Sequence, residues 1–186
     1  MSYKIWLKNY LMHPLQLGAL FPSSTALSSL IVSHITPDTS GMILELGAGT
    51  GHVTRAILKK GILEERLVLL EKSAELSNFL RKSFPKAEVI CGDATDIDTL
   101  SRTLGITEYD QIISGIPLNL IPFNMREAIF DKSFRLLAAK GSFVQFTYIP
   151  RCPIPNRIIA AHLAKKIYCG VSLRNIPPGF VWRVQR

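Results

Sequence analysis

Glu45-Leu46-Gly47-Ala48-Gly49-Thr50-Gly51 is the segment that most narrows what this chain can become. Its three glycines let the backbone turn sharply and approach a ligand closely. The apolar run Met42–Glu45 precedes them and reads as a strand. Thr50–Lys60 follows and reads as a helix with Val53, Ile57 and Leu58 on one face. A strand, a tight glycine turn and a helix make the first part of a βαβ unit, which calls for a parallel sheet.

The alternation continues down the chain. Arg66–Glu71, Ala87–Cys91, Tyr109–Ser114 and Ser142–Tyr148 read as further strands. A helix is expected from the N-cap Ser73 to Ser83, stopped by Pro85. Others are expected over Asp96–Leu104, stopped by Gly105, and over Pro122–Leu137, closed by Lys140–Gly141. Lys165–Ser172 and Phe180–Gln185 read as a closing hairpin joined by Asn175–Gly179. Alternating elements predict an α/β fold, a parallel sheet with helices on both faces and an antiparallel edge. Two helical segments precede this core, Tyr3–Met12 and Ser24–Ile35.

At 186 residues the chain is expected to be one domain, 1–37 forming an N-terminal helical segment and 38–186 the core. A hydrophobic share of 47% suffices for a packed interior and excludes disorder. No apolar stretch reaches the roughly 18–20 residues of a membrane span. Lys4 and Lys8 interrupt the N-terminal aromatics, and no cleavage-type ending follows, so a secretory signal is not expected. Cys91, Cys152 and Cys169 are scattered, with no CxxC, so neither a disulfide framework nor a metal site is expected, and a reducing cytoplasm fits. The net charge of +8 is uneven: residues 1–37 and 151–186 contain no acid, and their lysines and arginines supply +9. A near-neutral body with basic ends suits an anionic surface or polymer, although surplus cations also simply solubilise.

Two acids follow the glycine turn at telling places. Glu71 ends the second strand, twenty residues beyond Gly51, where a carboxylate can accept from both ribose hydroxyls of a nucleoside. Gly92-Asp93-Ala94 ends the third strand, where a carboxylate can accept from an adenine amino group. All three segments lie at carboxyl ends of parallel strands, where open sheets bind ligands. A nicotinamide dinucleotide suits them less. The third glycine comes one residue early for G-x-G-x-x-G, and Glu45 would face a pyrophosphate. A sulfonium cofactor bearing an ammonium group suits Glu45.

The E-L-G-A-G-T-G turn, with Glu71 and Gly92-Asp93-Ala94, resembles the class I S-adenosylmethionine-dependent methyltransferases. The resemblance covers residues 42–186. It implies a Rossmann-like, seven-stranded, mainly parallel sheet whose last strand is antiparallel, and S-adenosyl-L-methionine as cofactor. It also implies the cofactor-binding set Glu45, Gly47, Ala48, Gly49, Thr50, Gly51, Glu71, Lys72, Gly92, Asp93, Ala94 and Ser114, with Ser23 or Ser24 reaching the methionine end.

The acceptor side is read from Ser114-Gly115-Ile116-Pro117-Leu118. The related rRNA adenine dimethylases carry Asn-x-Pro-aromatic here. This chain has Gly115 and Leu118 in place of the asparagine and the aromatic, so the base-holding amide and the stacking ring are both missing. A second resemblance covers nearly the whole chain. Gly18-Ala19-Leu20-Phe21-Pro22-Ser23-Ser24, Ser114–Pro117, Phe146-Thr147-Tyr148 and Asn175–Trp182 look like the bacterial phospholipid N-methyltransferases, with Gly179 and Phe180 departing from that family's usual loop. This implies methylation of the phosphatidylethanolamine amine, in up to three steps, toward phosphatidylcholine. Tyr148, Gly115 and Pro117 become the catalytic candidates, with Tyr148 orienting the amine. RNA adenine N6-methylation is the alternative.

The partners expected are therefore a phospholipid substrate and an anionic membrane surface, rather than nucleic acid, met by a cytoplasmic monomer associated peripherally with the inner membrane. Tyr3, Trp6, Leu7 and Tyr10 share one helical face, and Lys4 and Lys8 project beside them, a pattern suited to a membrane–water boundary or to a lid over the cofactor. His52 adjoins the glycine turn and reads as a surface residue on the first helical turn, while His13 and His34 offer no ligand spacing.

Overall fold

The computed structural model describes residues 25–35, 40–118, 121–174 and 177–186. The expected helix Tyr3–Met12, the hydroxyls of Ser23 and Ser24, and Asn175-Ile176 of the last turn lie outside those residues. The described chain opens with helix α1 (Thr25–Ser33). Strand β1 (Ile43–Leu46) then leads through the glycine turn into α2 (His52–Lys59). Next come β2 (Leu67–Glu71), α3 (Ala74–Ser83), β3 (Glu88–Cys91), α4 (Ile97–Thr103), β4 (Tyr109–Ser114) and α5 (Phe123–Arg135). The chain closes with β5 (Leu137–Thr147), α6 (Asn156–Ala161), β6 (Lys165–Ser172) and β7 (Gly179–Gln185).

The seven strands form one sheet in the order β3-β2-β1-β4-β5-β7-β6. Strands β1 to β5 pair in parallel, and β7 runs antiparallel between β5 and β6. This is the expected Rossmann-like architecture with its reversed last strand. The order turns back at β1 and β4, and this is where an open α/β sheet leaves a crevice at its carboxyl edge.

The side-chain alternation of a strand divides the core into two layers. Ile43, Leu67, Leu69, Ile113, Val144 and Val181 face one side, under Leu27 and Ile31 of α1 and Val53 and Ile57 of α2. Leu44, Leu46, Val68, Leu70, Ile112, Phe143 and Val184 face the other, under Phe130 and Phe134 of α5. Both phenyl rings pack on Phe143, with centroids 5.6 and 5.7 Å away. Each such aromatic contact adds about 0.5–1.5 kcal/mol beyond burial.

Local signals set most boundaries. Ser73 caps α3 as expected, its Oγ accepting from Leu76 N at 3.3 Å. Two expectations needed correction. Helix α5 ends at Arg135, and β5 begins at Leu137 rather than Ser142, so Lys140–Gly141 is an irregularity inside a strand and not a helix stop. A Cβ on Gly141 would sit 3.0 Å from Ala138 O, which explains glycine at that kink. Helix α6 was not foreseen; it is six residues long and follows Pro153-Ile154-Pro155, a segment that reads as loop. Among the described residues, no helix is long and apolar enough to cross a membrane.

Candidate active site

The carboxyl ends of β1, β2 and β3 bring the glycine turn and the two acids together. Gly47, Gly49 and Gly51 all take positive φ, at 71°, 57° and 76°. Gly47 N and Ala48 N both donate to Leu70 O, at 2.8 and 3.2 Å, which ties the turn to the end of β2. Glu71 completes the tie. Its Oε2 accepts from Gly49 N at 2.9 Å and its Oε1 from Ser73 N at 2.9 Å. An ionised carboxylate has about four acceptor positions. Glu71 thus holds the turn and has acceptor capacity left over for the hydroxyls of a bound ligand.

Asp93 is organised in the same way. Its Oδ1 accepts from Thr95 N and Thr95 Oγ1, both at 2.9 Å, and its Oδ2 pairs with Lys72 Nζ at 2.9 Å. Lys72, then the Thr95 N–H, pull the carboxyl down to about 2, so Asp93 remains an acceptor at any neutral pH. Lys72 itself is exposed, so its role is to hold Asp93 across the β2–β3 loops. Ala94 is buried, and Gly92 backs against Leu100.

Glu45 stands apart from these two. It is 2% exposed, at the end of β1, and its Oε2 accepts from Thr54 Oγ1 at 2.6 Å. Burial pushes its carboxyl up to about 7, against the Thr54 bond and with help from nearby Glu71. A cation arriving near Glu45 would favour its ionised form. Thr54, in the first turn of α2, was missed from sequence; its signal was a polar residue on an otherwise apolar helix face.

The turn fits a nucleoside–sulfonium cofactor. Nothing lies within 4 Å of where a Cβ on Gly49 would stand, so the middle of the turn is open. Gly47 and Gly51 are tight instead: their Cβ atoms would meet Ile116 Cγ1 at 2.8 Å and the Phe84 ring. The residues that would hold the cofactor are thus the turn itself, Glu71 and Asp93, with Glu45 behind it. Thr50 sits on the turn, and its carbonyl accepts from Arg55 at 2.8 Å.

Across the β1–β4 boundary lies the acceptor turn. Gly115 N donates to Leu46 O at 2.8 Å, and buried Ser114 accepts from Ile116 N through its Oγ at 3.3 Å. Gln145, fully buried on β5, was missed from sequence although an amide amid Phe143, Val144 and Phe146 was its signal. Its Nε2 donates to Ile116 O at 3.0 Å and Phe146 O at 2.7 Å, with Ser114 O at 3.4 Å, and so clamps the turn to the sheet. Pro117 is half-buried within the turn. Leu118 is 1% exposed and packs into the core, so it offers no platform for a base. A Cβ on Gly115 would lie 2.9 Å from Gly47 O. Tyr148, just past β5, is half-buried, with its ring edge-on to Phe146 at 5.5 Å and against the layer that contains α1. His52 opens α2 on the surface.

Known proteins agree with this geometry. Residues 43–141 match the family described as methyltransferase domain. An ornithine lipid N-methyltransferase of Singulisphaera acidiphila is 30% identical over 152 residues, covering 80% of this chain and 79% of that protein. Ribosomal RNA small subunit methyltransferase A of Chlorobium luteolum is 26% identical over 154 residues, covering 81% of this chain but only 50% of that protein. Among solved structures, a TehB-like S-adenosylmethionine-dependent methyltransferase from Corynebacterium glutamicum superposes with a TM-score of 0.63 at 18% identity, over 96% of this chain and 97% of that one. Fold, glycine turn, acid placement and relatives converge: the chain belongs to the class I S-adenosylmethionine-dependent methyltransferases.

Proposed function

We propose that this methyltransferase acts on the amine of a membrane lipid head group, with phosphatidylethanolamine and its mono- and dimethyl forms as acceptors. The observation that carries the reading is the acceptor turn. Adenine recognition in the dimethylase pattern needs a side-chain amide at position 115 and an aromatic ring at 118. Here the first is blocked by the Gly47 carbonyl and the second is a core leucine. The relative named for an ornithine lipid also acts, by its name, on a lipid nitrogen.

When bound, the cofactor supplies an electrophilic methyl on a sulfonium. The chain's own part is to place an unprotonated amine in line with it. No charged residue occurs in Ser114–Leu118 or Gln145–Tyr148. An ammonium brought against these turns gives up hydration without gaining a counter-charge, which lowers its pKa and favours the free base. Tyr148 orients the amine through its hydroxyl, and backbone carbonyls of the Gly115–Pro117 turn accept its N–H groups. Basic N-terminal and C-terminal segments hold the enzyme against an anionic bilayer while the acyl chains stay in it.

The test is transfer of labelled methyl from the cofactor to vesicles containing phosphatidylethanolamine, run beside ornithine-lipid vesicles and an RNA substrate. Label in phosphatidylethanolamine is expected. Label in ornithine lipid alone changes the lipid, and label in RNA alone overturns the reading.

A further inference from the structure

Strands β4 and β5 both end at the acceptor turn, and one side-chain amide joins them there. Gln145 of β5 is fully buried, in register with Ser114 of β4 and Trp182 of β7. Its Nε2 faces three carbonyl oxygens: Phe146 O at 2.7 Å, Ile116 O at 3.0 Å and Ser114 O at 3.4 Å. An amide nitrogen has two hydrogens, so the two short contacts are its bonds and the third is weak. Its Oε1 has no hydrogen-bond partner. Turning the amide over would set Oε1 against three carbonyl oxygens and leave both N–H groups unpaired, so the surroundings fix Gln145 as a donor. An unpaired buried oxygen is destabilising, and what the position keeps despite it is that pair of N–H groups.

The oxygens it meets shape the acceptor turn. Ile116 O also accepts from Leu118 N at 2.8 Å, so both its lone pairs are engaged within the protein. Gly115, between Ser114 and Ile116, donates to Leu46 O at 2.8 Å, and a Cβ on it would stand 2.9 Å from Gly47 O. The segment that Gln145 grips therefore rests directly on the cofactor turn. Phe146 O belongs to the strand end that leads to Tyr148. Without a donor between them, these carbonyls would lose their bonds and repel one another.

We propose that Gln145 is a positioning residue of methyl transfer. By drawing the carbonyls of the acceptor turn and of the β5 end onto one amide, it sets where the acceptor stands relative to the cofactor methyl. Being fully buried, it acts through the turn and not by touching a ligand. The role holds for a lipid or any other acceptor, because it concerns the turn and not the molecule placed on it.

Two variants of the full chain test it. Gln145→Met keeps the length of the side chain and removes both N–H groups. Gln145→Glu keeps the shape and can donate one bond, only while its carboxyl is protonated. In Gln145→Met, amide hydrogen exchange at Gly115 and Leu118 should speed up about tenfold, with little change at Gly92, whose N–H bonds to Glu71 O on the cofactor side. Cofactor affinity in calorimetry should stay unchanged. Turnover, on whichever of the phosphatidylethanolamine, ornithine-lipid and RNA substrates takes label, should fall on the order of 10²-fold, the scale of a displacement of about 1 Å at a reacting centre. Gln145→Glu should retain part of the turnover at the acid end of its pH profile and lose it as pH rises and the carboxyl ionises. Its register partners, Ser114 and Trp182, carry no charge and do not favour the ionised form. Equal acceleration at Gly115, Leu118 and Gly92, with cofactor affinity and turnover falling together, would assign Gln145 to general stability and overturn the proposal. So would unchanged exchange at Leu118, unchanged turnover in Gln145→Met, or a Gln145→Glu pH profile parallel to that of the natural chain. Hydrogen exchange needs no acceptor, so it decides the positioning role separately from the lipid reading.

Discussion

The two halves of the sheet's carboxyl edge are built from opposite materials. On the β1–β2–β3 side, Glu45, Glu71 and Asp93 stand within a few residues of the strand ends, held by Thr54 of α2, by the Gly49 and Ser73 N–H groups, and by Thr95 and Lys72, respectively. On the β4–β5 side, the turn after Ser114 and the end of β5 carry no charge and are fixed by backbone bonds and the Gln145 amide. Under the lipid-amine function proposed above, the difference follows from what each half must do. A cofactor with a positive sulfur, an ammonium and hydroxyls is bound by acceptors. An amine that must attack with its lone pair is better served by a surface that penalises its protonated form.

The sharpest way to break this division is at Gly47, where the halves touch. Gly47→Val combines a β-branched side chain at φ 71° with a Cβ 2.8 Å from Ile116 Cγ1. A loss of about 3 kcal/mol or more in urea unfolding is expected, together with loss of cofactor binding. Normal stability and affinity would show that the two turns are not mechanically joined. On the cofactor side alone, Glu71→Ala should weaken cofactor affinity by about 1–3 kcal/mol in calorimetry, because it frees the Gly49 N–H and removes the ribose acceptor. Unchanged affinity in a folded variant would remove this assignment.

Glu45 sharpens the comparison through pH. Its folded pKa of about 7 lies above the ordinary 4.5, so the folded chain holds an extra proton between those values. Stability from this group is therefore highest at low pH and falls as pH rises through the window, by on the order of 2 kcal/mol. Glu45→Gln should remove that slope, so the variant gains on the natural chain between pH 5 and pH 8 in paired urea melts. A parallel slope in both proteins would show that Glu45 is already ionised. The smallest effect belongs to the acceptor side. Tyr148→Phe should lower turnover about fivefold, one hydrogen bond's worth, with cofactor affinity intact. Equal turnover would leave Tyr148 a packing role beside Phe146.

Much of the cofactor half could be read before the fold was known, because its residues are contiguous or fixed to strand ends. Glu45 through Gly51, Glu71 and Gly92-Asp93-Ala94 each announce a turn at the end of an apolar run. The acceptor half was harder to read. Ser114–Leu118 was identified through resemblance, while Gln145, which clamps it, lies 31 residues from Ser114 and looks like an ordinary strand residue. The ion pair that joins Lys72 to Asp93, across a pair of neighbouring loops, is likewise invisible in the sequence.

The sequence alone determined the strand–helix alternation, the two-sided burial of the central strands and the chemistry of the glycine turn, because periodicity, glycine content and charge are local properties. Only the tertiary structure decided that β7 inserts between β5 and β6, that Lys140–Gly141 kinks a strand instead of ending a helix, and that Gly115 lies too close to Gly47 O to admit an asparagine. It alone decided the state of Glu45, since an acid ending an apolar strand is ionised in water. Its pKa rose because the fold buried it, against the lowering effect of the bond from Thr54.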